Sequence, residues 1–164
     1  MNKQVWIEKA LGLGIQEFEI YQSTTVEKEM TWFQGQMDTL VSSKVTGTSI
    51  RGIVDGKMAN MALEEIDDSM CETVLKSLIE QAHIISNEET DSLRKPEPIE
   101  YAKKDVTWNM ASTEYVKDIL QSLEAKILAY DPRVIQVGYL GYSQGSGSRS
   151  IVNSLGMDVQ DADE

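Results

Sequence analysis

Metal-dependent peptide hydrolysis usually needs two histidines one helical turn apart, with a glutamate beside them that activates the metal-bound water. The chain contains one histidine, His83. Its neighbours on a predicted helix include Lys76 and Glu80, so His83 lies off the apolar stripe of that helix. We therefore interpret it as a surface or boundary histidine, and we predict neither a catalytic residue nor a metal ligand in this chain.

The only cysteine, Cys71, stands where a helix is predicted to begin, and a helix dipole can lower the pKa of a thiol there. Its position on the apolar stripe favours burial instead, and His83 lies twelve residues away on a different face. We therefore predict a core thiol. One cysteine cannot form an internal disulfide, which fits a reducing compartment, and the cytoplasm is the expected location.

Two short patterns suggest ligand binding but have simpler explanations. The segment Gly145-Ser146-Gly147 is similar to a phosphate-binding loop, yet such loops precede a helix and here a strand-like segment follows, so we predict a hairpin turn over 144–148. An acidic cluster lacks the alternating spacing and central glycine of a calcium loop, which favours a solvated turn. Its members are Glu64, Glu65, Asp67 and Asp68.

Composition narrows the class of protein. With 164 residues the chain is long enough for one domain with a core, so we predict a single domain over 1–164. The 27 acidic residues outnumber the 15 basic ones, giving a formal charge of -12, which disfavours direct binding to nucleic acid. The chain shows no signal peptide and no apolar run long enough to span a membrane, so no membrane association is expected.

The first half of the sequence predicts a short helix and four strands. Asn2 can cap a helix with Trp6 on its apolar face, ended by Gly12. Alternating polarity over 18–33 predicts a long strand. Gln34-Gly35-Gln36 forms a turn, a strand follows over 37–45, Gly47 breaks it, and 48–54 folds onto 57–62 through the Asp55-Gly56 hairpin signal.

The second half predicts two long helices and further strands. Ser69-x-x-Glu72 resembles a capping box that opens a helix ending near Asn87, and an exposed connector spans about 88–106. A helix from Ser112 stops before Pro132, and strands over 134–143, 149–153 and from 157 onward follow. The expected fold is α+β, an antiparallel sheet of about six strands, a β-meander first, with two long helices on one face. The second helix is predicted to bury Val116, Ile119, Leu120, Leu123, Ile127 and Tyr130.

The long first strand offers one binding hypothesis. If it forms a sheet edge, its unpaired N–H and C=O groups could bind an extended peptide by strand addition. Pairing within the chain would use the same groups.

Three segments in order resemble the TldD/PmbA family, whose members are called modulators of DNA gyrase and are related to metalloproteases. They are GIQEFEIY at 14–21, TGTSIRGIVDGK at 46–57 and IVNSLG at 151–156. Gly52 departs from the pattern, which more often has a bulkier apolar residue there. The resemblance is nearer the PmbA (TldE) branch. Residues that match the family signature, interpreted as turn and hairpin determinants, are Arg51, Asp55, Gly56, Asn153, Ser154 and Gly156.

The resemblance implies the amino-terminal domain of a longer protein, whose carboxy-terminal half is absent here. It implies zinc in that half or in a partner subunit and none in this chain. The expected partner is a related TldD/PmbA-type subunit, in a homo- or hetero-oligomer that binds a peptide substrate for proteolysis. This domain would then be a non-catalytic part of the subunit interface and peptide-binding chamber. The alternative is a module that binds DNA gyrase or another cellular protein without hydrolysis.

Overall fold

The computed structural model of the chain describes residues 1–64, 66–86, 89–97 and 110–163. Three helices and five strands are present in these residues, together with a single 3-10 turn over Asp68–Met70. The strands form one antiparallel sheet in the order β3-β2-β1-β4-β5, so the predicted α+β fold is confirmed. The elements are α1 (Lys3–Gly12), β1 (Glu17–Phe33), β2 (Gln36–Val54), β3 (Lys57–Leu63), α2 (Cys71–Ile84), α3 (Thr113–Tyr130), β4 (Leu140–Asn153) and β5 (Asp158–Asp163).

The described residues fall into two compact units. Unit 1 contains those within 1–24, 46–105 and 148–162, and unit 2 contains those within 25–45, 106–147 and 163–164. The chain length predicted a single domain over 1–164. That call stays a prediction, because the division into two compact units does not test it.

The predicted break at Gly47 is wrong, because β2 is continuous from Gln36 to Val54. Side-chain hydrogen bonds to β1 support the strand on both sides of the glycine. The Thr24 and Thr46 hydroxyls lie 3.0 Å apart, and Gln22 Nε2 donates to Thr48 Oγ1 at 3.2 Å. A glycine weakens a strand but does not end it where the flanking residues are well paired.

The predicted hairpin turn over 144–148 is also wrong, because these residues lie inside β4. The sheet order places β4 next to β1, and a Cβ added at Gly145 would lie 3.9 Å from the carbonyl oxygen of Val26. The Gln144 side chain accepts hydrogen bonds from the Ala111 N–H and the Tyr142 hydroxyl, both at 2.9 Å. The small residues at 145–147 allow the strands to pack closely. The strand predicted to begin at Val134 begins at Leu140.

Both tight hairpins use residues with positive φ. At Asp55 and Gly56 φ is 50° and 75°, as the predicted turn requires. Gln34 and Gly35 adopt a similar pair of values, 48° and 78°, in the turn between β1 and β2. The hypothesis that β1 is a free edge is wrong, because β1 lies between β2 and β4.

The core of unit 1 is formed by α1, α2 and the adjoining strands, and α2 packs on β3 and α1. Asn2 caps α1, as predicted, by accepting the Val5 N–H at 3.3 Å. The predicted capping box of α2 is wrong: Met70 precedes the helix without a side-chain hydrogen bond, and Asp67 instead accepts the Ser69 N–H at 2.7 Å. The buried residues of this cluster are Trp6, Ile7, Ala10, Ile15, Phe18, Ile20, Ile50, Val54, Ala59, Cys71, Val74, Leu75, Leu78 and Ala82.

The predicted exposed connector lies partly outside the described residues, at 88 and 98–106. In the described part, most side chains between 89 and 97 are exposed but Leu93 is buried. Hydrogen bonds join this segment to the rest of unit 1. The Glu17 carboxylate accepts the Leu93 N–H at 2.6 Å, the Asp91 N–H donates to the Gly56 carbonyl at 2.9 Å, and Asp91 Oδ2 accepts the Met58 N–H at 3.0 Å.

Unit 2 has a smaller core, in which α3 packs against its part of β1. The cluster contains Met30, Trp32, Val116 and Leu120. Ser112 caps α3, as predicted, by accepting the Tyr115 N–H at 3.2 Å. Lys28 Nζ donates to the Ala111 carbonyl at 2.7 Å and thereby fixes the chain where it enters the helix.

The close packing around Gly52 explains why this position departs from the family pattern. A Cβ at this position would lie 2.8 Å from Cδ2 of Leu78 and 3.1 Å from Cγ2 of Ile15, and both side chains are buried. We predict that Gly52→Ala destabilises the chain by about 1–3 kcal/mol, because the core of unit 1 would be overpacked. Chemical denaturation measures the change in the free energy of unfolding.

Gly47→Ala is the matched control in the same strand, because a Cβ there would lie 3.7 Å from Ser23 Oγ, an ordinary contact. An equal loss of stability in both variants would contradict the packing explanation.

Candidate functional site

The structure brings two of the six predicted signature residues together around a carboxylate that the sequence did not reveal. Glu19 on β1 is 2% exposed and accepts hydrogen bonds from Nε of Arg51, at 3.0 Å, and from Nη2 of the same side chain. Asn153 Nδ2 donates to the other Glu19 oxygen at 3.3 Å. Two charge-assisted hydrogen bonds from Arg51 to the same oxygen, Oε1, offset the cost of burying the glutamate. Nε and Nη2 of Arg51 are thus engaged with Glu19.

Asn153, Ser154 and Gly156 form the turn between β4 and β5. The Asn153 side-chain oxygen accepts the Leu155 and Met157 N–H groups at 3.0 and 2.9 Å. Ser154 binds Phe18 in both directions, donating its N–H to the Phe18 carbonyl and accepting the Phe18 N–H with Oγ. At Gly156 φ is 93°, a value that other residues rarely adopt. These contacts fix the turn and leave its polar groups occupied.

The remaining candidates lie apart from this turn. Asp55 and Gly56 form the β2–β3 hairpin, and His83 Nε2 lies 3.6 Å from Asp55 Oδ2 on an exposed surface. His83 is therefore a surface histidine, as predicted. Cys71 is fully buried, and burial raises the pKa of its thiol, which agrees with a core thiol.

Two members of the acidic cluster, Asp68 and Asp67, accept hydrogen bonds at the start of α1 and in the turn before α2, respectively. Asp68 Oδ1 accepts the Asn2 N–H at 2.8 Å and Trp6 Nε1 at 2.9 Å, and these hydrogen bonds lower the pKa of Asp68. Hydrogen bonds from Ser69 likewise lower the pKa of Asp67. Glu65 lies outside the described residues. Among the described residues, no group of three or more His, Cys, Asp or Glu side chains could hold a metal ion.

In unit 2 a second buried carboxylate joins α3 to the β1–β2 turn. Glu124 is 8% exposed, and its Oε2 accepts the indole N–H of Trp32 at 2.7 Å. Its Oε1 accepts the Gly35 N–H at 3.2 Å. The helical pattern missed this glutamate, since a glutamate within an amphipathic helix is usually solvated.

Because Val116, Leu120 and Glu124 occupy the inner face of α3, much of its predicted apolar stripe is exposed. Ile119 and Leu123 are 38% and 42% exposed, and Tyr130 is exposed as well, so the prediction that they are buried is wrong. Ile119 and Leu123 form part of a shallow surface that we call the α3 face. It is lined by Tyr115, Asp118, Ile119, Ser122, Leu123 and Lys126.

Unit 2 carries most of the large apolar side chains that are exposed in the described residues, twelve of sixteen. Contiguous exposed apolar surface is typical of a binding site, and three of these side chains, Tyr115, Ile119 and Leu123, line the α3 face together. Besides the α3 face, the twelve include residues of the β1–β2 hairpin and of the segment between α3 and β4. They are Phe33, Met37, Leu40, Val41, Val45, Tyr115, Ile119, Leu123, Leu128, Tyr130, Ile135 and Tyr139.

The described helices include none that is long and apolar enough to cross a membrane.

Comparison with known families matches two consecutive domains. Residues 18–86 match PmbA/TldA metallopeptidase domain 1, and residues 107–163 match the PmbA/TldA metallopeptidase central domain. The chain belongs to the PmbA/TldD family. Its resemblance to that family, inferred from three sequence segments, is thereby confirmed. No curated protein matches the chain in sequence.

Solved structures share the fold of this PmbA/TldD-family chain. A Thermotoga maritima protein, provisionally named a modulator of a DNA gyrase, and TldE from Thermococcus kodakarensis each align with a TM-score of 0.78, at 18% identity over 98% of the chain. A Bacteroides thetaiotaomicron protein with a similar provisional name aligns with a TM-score of 0.69, at 18% identity over 97% of the chain. The alignments cover only 36–37% of those proteins, so the chain spans just over a third of their length.

The buried Glu124 generates a stability prediction. Glu124→Ala should destabilise unit 2 by about 1–3 kcal/mol, because the indole N–H of Trp32 would be left without its acceptor. Glu124→Gln keeps one oxygen and should recover part of the loss. Denaturation curves measure both variants.

Glu114→Ala is the control for the loss of a glutamate from α3, because Glu114 is exposed near the helix start. If Glu124→Ala were no more destabilising than this control, the buried contact would not hold the helix.

Proposed function

We propose that this chain is a non-catalytic part of a PmbA/TldD-family metallopeptidase assembly, in which it helps form the subunit interface and the wall of the peptide-binding chamber. The observation that carries the proposal is the exposed apolar surface of unit 2, centred on the α3 face. The expected partner is a related TldD/PmbA-type subunit, and the expected location is the cytoplasm.

The arrangement of apolar and charged side chains on the α3 face supports an interface there. Ile119 and Leu123 lie one helical turn apart and are flanked by Asp118 and Lys126. An apolar centre with charged side chains at its margin is the usual anatomy of a protein–protein interface. The small core of unit 2 leaves little else for these side chains to contact.

Hydrolysis and zinc binding are assigned to other parts of the assembly. Two signature residues support this division, because Arg51 and Asn153 bind Glu19, and Asn153 also fixes the β4–β5 turn. The proposal places the zinc ligands beyond the residues of this chain or in the partner subunit.

Interface variants test the proposal. Ile119→Glu combined with Leu123→Glu should weaken binding of the chain to a purified TldD-type subunit by tenfold or more, equivalent to about 1.4 kcal/mol, because two carboxylates would be buried in an apolar contact. Analytical ultracentrifugation of the mixture measures the affinity. Ile84→Glu is the matched control, because Ile84 is 81% exposed on α2 in unit 1.

The same experiment with DNA gyrase in place of the TldD-type subunit tests the alternative function. Binding to gyrase, together with no binding to any family subunit, would replace the proposal by that alternative. Stoichiometric zinc with peptidase activity in the purified chain would contradict the non-catalytic role.

A further inference from the structure

Glu124 is a buried carboxylate that lacks a cationic partner. Its two oxygens accept the Trp32 indole N–H and the Gly35 N–H, and both donors are neutral. None of the ion pairs within the part of the chain that the structure describes includes Glu124. Glu19, the other buried glutamate, has the Arg51 guanidinium beside it. Because a carboxylate is almost never buried without a charge partner, Glu124 is the exception.

The carboxylate of Glu124 borders a cavity of unit 2. The volume of the cavity is about 380 Å³, within the roughly 300–1,000 Å³ that is usual for small-ligand sites. Gly35 lines the cavity with Glu124 and Trp32 does not, so Oε1 is the oxygen nearer to the cavity. The rest of the lining consists of three apolar and two amide side chains, namely Leu128, Ile135, Val137, Gln34 and Gln136. Ile135 is 90% exposed, so the cavity is open to solvent.

The basic residues nearest to the cavity in sequence do not neutralise Glu124. Arg133 donates to both oxygens of Asp131, from Nε at 2.9 Å and from Nη2 at 2.7 Å. Lys126 lines the α3 face, and two residues along a helix place it on the opposite side from Glu124. The charge of Glu124 therefore remains available to a cation that binds in the cavity.

We propose that this cavity binds the lysine side chain of a peptide. The ammonium group donates to Oε1 of Glu124 and supplies the charge partner that the buried carboxylate lacks. The three apolar side chains of the lining contact the methylene groups of the lysine stem. Because one oxygen faces the cavity, an ammonium fits better than a guanidinium, whose paired N–H groups match both oxygens of a carboxylate.

The other lining residues favour a peptide over a metal ion or a free amine. A metal ion needs several ligands, and among the described residues Glu124 belongs to no group of three or more that could hold one. The amides of Gln34 and Gln136 form no side-chain hydrogen bond within the described residues, so they can bind the backbone of a peptide. The inference deepens the proposed function, and it rests on that function only in taking a peptide as the ligand.

An NMR titration of the chain with blocked peptides tests the site. The probe is acetyl-Ala-Ala-Lys-Ala-Ala-amide, and the control peptide has norleucine in place of lysine, which keeps an alkyl stem and lacks the ammonium group. The lysine peptide should bind at least tenfold more tightly, equivalent to about 1.4 kcal/mol, because only its side chain can pair with Glu124. The signals of the Trp32 indole N–H and the Gly35 amide report on this site, since both groups donate to Glu124.

A charge-removing variant tests the role of the carboxylate. Glu124→Gln keeps an oxygen that can accept the Trp32 indole N–H and should bind the lysine and norleucine peptides equally weakly. Glu114→Gln is the matched control, because it removes the same charge from an exposed position of α3 and should retain the preference for lysine. The comparison of the two peptides on the unsubstituted chain decides the question even if Glu124→Gln fails to fold.

Equal binding of the two peptides to the unsubstituted chain would overturn the proposal, as would a preference for lysine that Glu124→Gln retains. Signal changes that leave out Trp32 and Gly35 would also overturn it, because they would show only general attraction of a cation to an acidic chain. The same holds if the free diamine cadaverine binds as tightly as the lysine peptide, or if an arginine peptide binds more tightly.

These results are distinct from a failure of the proposed function. Loss of lysine binding leaves the binding of the α3 face to a TldD-type subunit unaffected. Conversely, a chain that binds no family subunit would contradict the proposed interface without changing the response of the Trp32 and Gly35 signals to the lysine peptide.

Discussion

The buried carboxylate of Glu124 determines which way α3 faces. It accepts hydrogen bonds from Trp32 and Gly35, so the helix meets the β1–β2 hairpin along the line of Val116, Leu120 and Glu124. Given this orientation, the residues at 115, 119 and 123 point away from the core and remain exposed. One polar contact therefore produces both the anchoring of the helix and its outward apolar face.

The two units differ in how much apolar side-chain surface they bury. Among the described residues, the main cluster of unit 1 contains fourteen buried side chains, whereas that of unit 2 contains four. Because apolar burial is the main favourable term in folding, unit 2 gains less stability from its own core than unit 1 does. Covering its exposed apolar side chains would add stability, which gives a physical reason for an interface there.

Local signals predicted much of the fold, and long-range contacts explain the rest. The cap of α1 by Asn2, the Asp55-Gly56 turn and the start of α3 at Ser112 depend on neighbouring residues, so the sequence predicts them. The continuity of β2 through Gly47 depends on β1, about twenty residues away in sequence. Dependence on distant residues also explains why the sequence did not reveal the two buried carboxylates, Glu19 and Glu124. Glu19 and Glu124 are expected to be solvated until Arg51 and Trp32 are placed beside them.

Amide hydrogen exchange of the chain, alone and bound to a family subunit, tests the central claim most directly. Helix α3 should exchange more slowly in the complex, because the apolar α3 face of unit 2 becomes covered. Helix α2, which already packs in the core of unit 1, should exchange at an unchanged rate. Protection confined to α2, with α3 unaffected, would contradict the assignment of unit 2 as the interface.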